Sequence, residues 1–137
     1  MRYTHRVEVM WADCDPAQIV FHPHYFRWMD DAAHKLFSEA GYNGKRLLDE
    51  FGIPGAPLVS AHADFRNTAK LGDLLDIECF VSEWGTKSFT VTCILRCGDK
   101  LIAEGVQSRV WCEADPDEPS KLKALPVPDH FKQALGG

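Results

Sequence analysis

The chain has 137 residues, of which 45% are hydrophobic and 26% are charged, and its formal net charge is −5. These values are typical of one soluble globular domain, so we predict a single domain over residues 1–137. An acidic chain lacks the basic surface that non-specific nucleic-acid binding requires, so no nucleic-acid partner is expected. Residues 1–6 lack the apolar stretch of a secretion signal, and no apolar run is long enough to span a membrane. We therefore expect no membrane partner and a cytoplasmic location.

The first half of the chain predicts one strand and one long helix. Residues 3–11 alternate in polarity, which indicates a half-buried strand. Residues 23–40 have the apolar spacing of a helix with one broad buried face, and Pro23 occupies the first helical position, where a missing N–H costs little. No other long helical pattern occurs in the chain, so we expect a sheet to pack on this helix.

The second half of the chain predicts a meander of antiparallel strands. Asn43 is expected to cap a short helix first. Four alternating segments then follow, over residues 58–67, 74–84, 88–97 and 101–112. An acidic, proline-broken loop leads to a tail with a short final strand and a helical turn. The pattern by itself predicts an α+β domain.

The loop before the long helix is the strongest candidate for chemistry. Asp13 and Asp15 lie a few residues ahead of the helix start, where free backbone N–H groups favour negative charge. A carboxylate beside such an N–H fits an acyl-transfer site, because the N–H stabilises a developing oxyanion. The plainer alternative, that both aspartates only form a polar turn, fits the spacing better when nothing else is considered.

The same loop is also a candidate metal site. Histidines at 22 and 24 together with the two aspartates are compatible with zinc or iron ligation. A third histidine at a matching spacing is missing from the sequence pattern. We therefore predict no metal and no separate cofactor.

A resemblance to a known family begins in this loop. Residues 13–25 read DCDPAQIVFHPHY, and they closely resemble the signature of the 4-hydroxybenzoyl-CoA thioesterase family of hotdog-fold proteins. The resemblance continues through residues 27–30, 55–60, 83–89 and 121–128, so it covers nearly the whole chain in order. It implies a hotdog fold, in which an antiparallel sheet wraps one long central helix. It also implies hydrolysis of an acyl-CoA thioester, with a small or aromatic acyl group and coenzyme A as part of the substrate.

The resemblance also assigns roles to residues. Asp15 matches the family's catalytic carboxylate, acting as nucleophile or as general base, and the backbone N–H of His22 matches the group that polarises the carbonyl. The residues expected to bind substrate are Asp30, Ala56, Pro57, Leu58, Lys87, Ser88, Lys121 and Lys123. For Asp30 the alternative is a solvated carboxylate or one paired with His34, and for the lysines it is an ordinary solvated surface.

Four positions depart from the family pattern. Gln18 stands where many relatives have glycine, and Ala56 stands where the 4-hydroxybenzoyl enzyme has threonine. Gly85 and Thr86 stand where that enzyme has a basic pair, so only Lys87 of the cluster remains. Fewer cations imply weaker or differently placed contacts to the phosphates of coenzyme A.

Two other functions remain open on the same fold. One is a hotdog hydratase, although the chain lacks the motifs of those enzymes, and the other is an acyl-CoA-binding protein without catalytic activity. A sheet with one face on the helix leaves its edges exposed, so we expect a homodimer or homotetramer, as the resemblance also implies.

Overall fold

The computed structural model describes residues 1–53 and 55–137. The helices are α1 Pro23–Glu39, α2 Gly44–Phe51 and α3 Asp129–Ala134. The strands are β1 Arg2–Glu8, β2 Leu58–Phe65, β3 Leu74–Trp84, β4 Ser88–Cys97, β5 Lys100–Val110, β6 Cys112–Ala114 and β7 Leu122–Ala124. Five strands form an antiparallel sheet in the order β1-β3-β4-β5-β2, and β6 pairs with β7.

The long helix α1 packs against the inner face of the five-stranded sheet. Its buried residues are Tyr25, Trp28, Met29, Ala32, Ala33, Leu36 and Phe37. They belong to one hydrophobic cluster with alternate residues of β3 and β4, such as Ile77 and Val91, which have no exposed surface. Every second residue of these strands therefore packs against one face of the helix. The prediction of an α+β hotdog fold, with the sheet wrapped around one central helix, is confirmed.

Gly105 on β5 allows α1 to lie very close to the sheet. A Cβ atom at this position would overlap the Sδ atom of Met29 and would lie 2.8 Å from its Cε atom. The neighbouring strand residue opposite Gly105 is Ala63, which is also small. The contact between helix and sheet thus depends on a strand position that has no side chain.

The segment predicted as one strand over residues 101–112 is divided in two. The strand β5 ends at Val110, and β6 begins at Cys112. Between them Trp111 is fully buried, with its ring centroid 5.0 Å from that of Phe51 and 4.8 Å from that of Phe131. The chain leaves the sheet here because this indole is buried against α2 and α3, and the prediction of an uninterrupted strand was wrong.

Candidate active site

The loop before α1 folds back on itself as a hydrogen-bonded turn. The N–H of Asp15 donates to the carbonyl of Ile19 at 2.9 Å, and the N–H of Phe21 donates to the carbonyl of Asp13 at 2.9 Å. Two arms of the loop therefore run side by side. Asp15 lies on the first arm, and the second arm leads directly into His22 and the helix.

The two aspartates of this turn have different environments. The carboxylate of Asp13 accepts the N–H of Met10 at 2.8 Å, which is a structural role at the turn that follows β1. Asp15 is half-buried, and its Oδ1 atom accepts the N–H of Ala17 at 2.8 Å. Within the described residues its Oδ2 atom has no hydrogen-bond donor. One oxygen of Asp15 thus orients the carboxylate while the other is available for chemistry.

The start of α1 leaves one backbone N–H without a partner. Pro23, the first residue of the helix, has no N–H, and the next N–H, that of His24, donates to Phe21 at 3.0 Å. In the part of the chain that the structure describes, the N–H of His22 donates no hydrogen bond. An unpaired N–H at the positive end of a helix is suited to an oxyanion.

Ala69 fixes this loop and the helix start to the segment before β3. Its carbonyl accepts the N–H of Val20 at 2.9 Å, and its N–H donates to the hydroxyl oxygen of Tyr25 at 3.3 Å. Burial raises the pKa of Tyr25, so the ring stays a neutral phenol that can accept this bond. The position of Asp15 relative to α1 is therefore held from a third element.

Gln18, the residue that departs from the family pattern, has a left-handed backbone with φ of 66°. Its N–H donates to the carbonyl of Asp15 at 2.9 Å, so the turn that orients Asp15 requires this conformation. A side chain in this region costs roughly 1–2 kcal/mol, which glycine avoids. Many relatives have glycine at this position, and the sequence pattern alone does not show the backbone reason for it.

We expect Gln18→Gly to raise the free energy of unfolding by about 1 kcal/mol, because it removes this strain. Urea denaturation of the two proteins measures the difference. Gln18→Ala is the matched control, since it removes the same side chain beyond Cβ and keeps the strain. An equal gain in both variants would show that the Gln18 side chain, and not its backbone, is unfavourable.

A cleft of about 620 Å³ lies beside the middle of α1. Its walls come from α1, Gly52 and Ile53, residues 55–58, Arg109 of β5 and Leu122 of β7. The structure brings together here four of the predicted substrate-binding residues, which are Asp30, Ala56, Pro57 and Leu58. The other predicted site residues do not line it, and these are Asp15, His22, Lys87, Ser88, Lys121 and Lys123.

Arg109 at the base of this cleft was missed by the sequence analysis. Its side chain is only 2% exposed, and its Nη2 atom donates to Oδ1 of Asp30 at 2.5 Å. Its Nη1 atom donates to the carbonyl of Ala56 at 2.8 Å, and its Nε and Nη2 atoms donate to Oε1 of Gln107 at 3.2 and 2.9 Å. Alternation along β5 places Arg109 and Gln107 on the inner face with Gly105, and two polar residues on an inward face were the available signal.

His34 lies beside Asp30 one helical turn later. Its Nδ1 atom lies 2.9 Å from the backbone carbonyl of Asp30 and 3.5 Å from Oδ2 of the same residue. Its Nε2 atom faces Gly55, where an added Cβ atom would come within 2.9 Å. The sequence alternative in which Asp30 pairs with His34 is therefore only part of the arrangement, because Arg109 makes the shorter contact.

The predicted coenzyme A contacts lie on the surface. Lys87 is exposed in the loop between β3 and β4, and Ser88 begins β4. Lys121 forms a 2.7 Å ion pair with Glu118, and both side chains are more than half exposed. Leu122 lines the cleft, so strand alternation directs Lys123 to the opposite side of β7, and Lys121 lies just before this strand. Their role in phosphate binding stays a prediction.

The described ranges, 1–53 and 55–137, contain neither a metal-binding cluster nor a membrane-spanning helix. No three side chains among histidine, cysteine, aspartate and glutamate lie together in a way that could hold a metal ion there. No helix within them has the length and apolar character needed to cross a membrane.

Comparison with known proteins places this arrangement in a family. The sequence profile of the thioesterase-like superfamily matches residues 9–135. The chain belongs to the thioesterase-like superfamily. The fold class and the predicted activity, hydrolysis of a thioester, are confirmed at this level, whereas the roles of individual residues stay predictions.

Individual relatives of this thioesterase are similar over nearly their whole length. The chain is 36% identical to 4-hydroxybenzoyl-CoA thioesterase from Pseudomonas sp. (strain CBS-3), over 93% of each chain. A variant of 4-hydroxybenzoyl CoA thioesterase complexed with 4-hydroxybenzoyl CoA superposes with a TM-score of 0.88 and 31% identity, covering 98% of this chain and 99% of that one. A gentisyl-coenzyme A thioesterase superposes with a TM-score of 0.82 and 29% identity, covering 98% of this chain and 100% of that one.

Proposed function

We propose that this thioesterase hydrolyses an acyl-CoA with a small aromatic acyl group, using Asp15 as nucleophile or general base. The observation that carries the proposal is the unpaired N–H of His22, which follows a turn that holds Asp15 by its backbone and by Oδ1. The names of two similar proteins, which act on 4-hydroxybenzoyl and gentisyl thioesters, support an aromatic acyl group.

The proposed chemistry needs few groups because a thiolate leaves easily. In one route, Asp15 takes a proton from water, the water oxygen bonds to the carbonyl carbon, and the C–S bond breaks. In the other route, Asp15 itself attacks the carbonyl carbon, coenzyme A leaves as the thiolate, and water then hydrolyses the mixed anhydride. In both routes, the N–H of His22 donates to the developing oxyanion, an interaction typically worth about 3 kcal/mol in the transition state.

The cleft beside α1 is proposed as the acyl pocket. Asp30 lies roughly 10 Å along the helix axis from Pro23, so an acyl group whose carbonyl is at the helix start extends towards it. The walls at this end are largely apolar, including Leu58 and the buried Ile53. Apolar walls with a few polar groups are typical of a small-molecule site. Ala56 and Pro57 also line the cleft.

The nucleotide end of coenzyme A is proposed to lie on the protein surface near Lys87, Ser88, Lys121 and Lys123. We expect Lys123→Ala to raise KM for acyl-CoA by roughly threefold with little change in kcat, because one exposed contact to phosphate is weak. Steady-state kinetics at low and high salt measure this, since salt should reduce the difference. An unchanged KM at low salt would assign Lys123 to the solvated surface.

The assembly is proposed to be a homodimer formed through β2, paired again into a tetramer. This strand is an edge of the sheet, and every residue in it except Ala63 is exposed, including Val59 at 68% and Phe65 at 46%. An apolar edge strand is normally covered. Light scattering should give a multiple of 15.4 kDa, and a monomer would contradict the proposal.

A cytoplasmic location is also proposed, which cell fractionation tests.

The activity is tested by release of free thiol from a panel of thioesters that varies chain length and aromaticity. We expect 4-hydroxybenzoyl-CoA and benzoyl-CoA to be hydrolysed faster than acetyl-CoA or palmitoyl-CoA. Binding of every thioester without thiol release would instead support an acyl-CoA-binding protein. Hydration of an enoyl-CoA without hydrolysis would support a hydratase.

A further inference from the structure

Two cysteines lie directly opposite each other in the centre of the sheet, Cys79 on β3 and Cys93 on β4. Both belong to the hydrophobic core and have no exposed surface. Their Sγ atoms are 2.7 Å apart, so the two sulfur atoms are in direct contact. The Sγ atom of Cys93 also lies 3.9 Å from the backbone carbonyl of Met29 on α1. The fold therefore holds two thiols against each other beneath the long helix.

The backbone geometry of this pair fits a disulfide. Residues directly opposite each other on antiparallel strands have Cα atoms about 4.5–5.5 Å apart, and a disulfide needs about 4.4–6.8 Å. Because the sulfur atoms of Cys79 and Cys93 are already in contact, a bond between them needs only a small movement of the side chains. The plainer role, in which two small side chains fill the core and share a thiol–thiol hydrogen bond, describes the reduced state of the same pair.

The other three cysteines have no such neighbour. The structure describes all five cysteines, and in it each of them is a free thiol. The Sγ atom of Cys14 contacts the backbone carbonyl of Met10 at 3.6 Å. Cys97 lies opposite Lys100, and Cys112 lies opposite an alanine of β7. The strand register thus brings together one cysteine pair and leaves the remaining thiols apart.

The surroundings of the pair make it slow to react in the folded protein. The adjoining thiol of Cys93 and burial raise the pKa of the Cys79 thiol, so little of the reactive thiolate is present at neutral pH. The next inward pair on the same strands, Ile77 with Leu95, is apolar and supplies no base. An oxidant therefore reaches these sulfur atoms only when β3 and β4 open locally or before they have folded.

We propose that Cys79 and Cys93 form a redox modification site, at which a peroxide produces a disulfide between β3 and β4 that fits the native fold. In the first step a thiolate attacks one oxygen of hydrogen peroxide, the O–O bond breaks, and a sulfenic acid and water form. In the second step the other thiol loses its proton and its sulfur attacks the sulfenic sulfur, which releases a second water. Two thiols and one peroxide thus give one disulfide and two waters. This site is separate from the chemistry proposed for Asp15.

Thiol mapping of the wild-type protein tests the proposal. Trypsin should place each of the five cysteines on its own peptide, and cleavage after Lys87 separates Cys79 from Cys93. The protein is treated with hydrogen peroxide at urea concentrations below its unfolding midpoint, the remaining thiols are alkylated, and the unreduced digest is analysed by mass spectrometry. We expect the two peptides to appear as one linked species, two hydrogen atoms lighter than their sum, which dithiothreitol separates. The yield should rise with urea, because opening exposes the thiols.

Two results of the mapping would overturn the proposal. One is that Cys79 and Cys93 are recovered as alkylated thiols under every condition, including refolding in the presence of peroxide. The other is that they are linked to Cys14, Cys97 or Cys112 as often as to each other below the unfolding midpoint, since the native register would then not direct the reaction.

The thermal stability of the oxidised protein gives an independent readout. The disulfide should raise Tm by roughly 5–10 °C, because it restricts the segment 79–93 in the unfolded chain. The comparison is made on peroxide-treated protein before and after dithiothreitol, which reduces the disulfide and leaves oxidised methionine unchanged. A Tm that is lower with the disulfide than without it would show that the bond does not fit the native fold, and would overturn the proposal.

Cysteine variants assign the effect to this pair. Cys79→Ala should abolish both the linked peptide and the gain in Tm. Cys97→Ala, which removes another thiol of β4, is the matched control and should keep both. A gain in Tm that persists in Cys79→Ala would contradict the assignment. If Cys79→Ala does not fold, Cys93→Ala replaces it, and the mapping of the wild-type protein decides without any variant.

Discussion

Asp15→Asn is expected to lower kcat for the best acyl-CoA substrate about 10³-fold. The amide neither attacks the carbonyl nor takes a proton from water, and positioned carboxylates of this kind contribute roughly 10²–10⁴-fold. The fold should be retained, because the amide oxygen can still accept the N–H of Ala17. Release of free thiol measures the rate, and far-UV circular dichroism with thermal melting verifies the fold.

Asp13→Asn is the matched control for this experiment. Asp13 lies two residues earlier, and its carboxylate accepts the N–H of Met10, which an amide oxygen can also accept. We expect kcat within about fivefold of the wild-type value, because this carboxylate has a structural partner and no assigned role in the chemistry. Equal loss in both variants, or full activity in Asp15→Asn, would contradict the assignment of Asp15 as the catalytic group.

Gly105→Val is expected to destabilise the protein by about 3 kcal/mol and to lower Tm by roughly 10 °C. A side chain here meets Met29, which is 1% exposed, in the close-packed contact between α1 and β5. Because the interior is packed to crystal-like density, the end of the Met29 side chain, the helix or the strand must shift. Thermal and urea unfolding measure the loss of stability.

Ser108→Val provides the comparison on the same strand. Ser108 lies on the outer face of β5, away from α1, so a β-branched side chain there should change stability by no more than about 0.5 kcal/mol. Met29→Ala combined with Gly105→Val should recover part of the loss, because it makes room at the contact. If Gly105→Val is as stable as the wild-type protein, the close approach of α1 to the sheet does not depend on this glycine.

Much of the architecture followed from local patterns. The apolar spacing after Pro23 predicted α1 and its buried face, and the structure places the helix at Pro23–Glu39. Asn43 was correctly predicted as a cap, since its side chain accepts the N–H of Arg46 at 2.8 Å. These features could be predicted because propensity, period and capping act over a few neighbouring residues.

Local sequence patterns predicted only part of the candidate site. The loop motif and the resemblance predicted Asp15 and His22 as catalytic residues, and this assignment stays a prediction. The resemblance also predicted substrate contacts at Asp30 and residues 56–58, and the structure places these four residues around the cleft. Arg109 was not predicted as a site residue, because alternation in β5 shows only that it shares a face with Gln107. Whether that face is inward is decided by packing against α1, which no local pattern contains.

The sequence by itself determined where α1 begins, which of its faces is buried and which loop carries the carboxylate, because each depends on residues close together in the chain. Only the tertiary structure decided that Arg109 bonds to Asp30, since the two lie 79 residues apart and meet through the packing of β5 against α1. It also decided that Gln18 must be left-handed and that Trp111 ends β5. Long-range contacts of this kind arise from how whole elements pack, and the chemistry of the cleft depends on them.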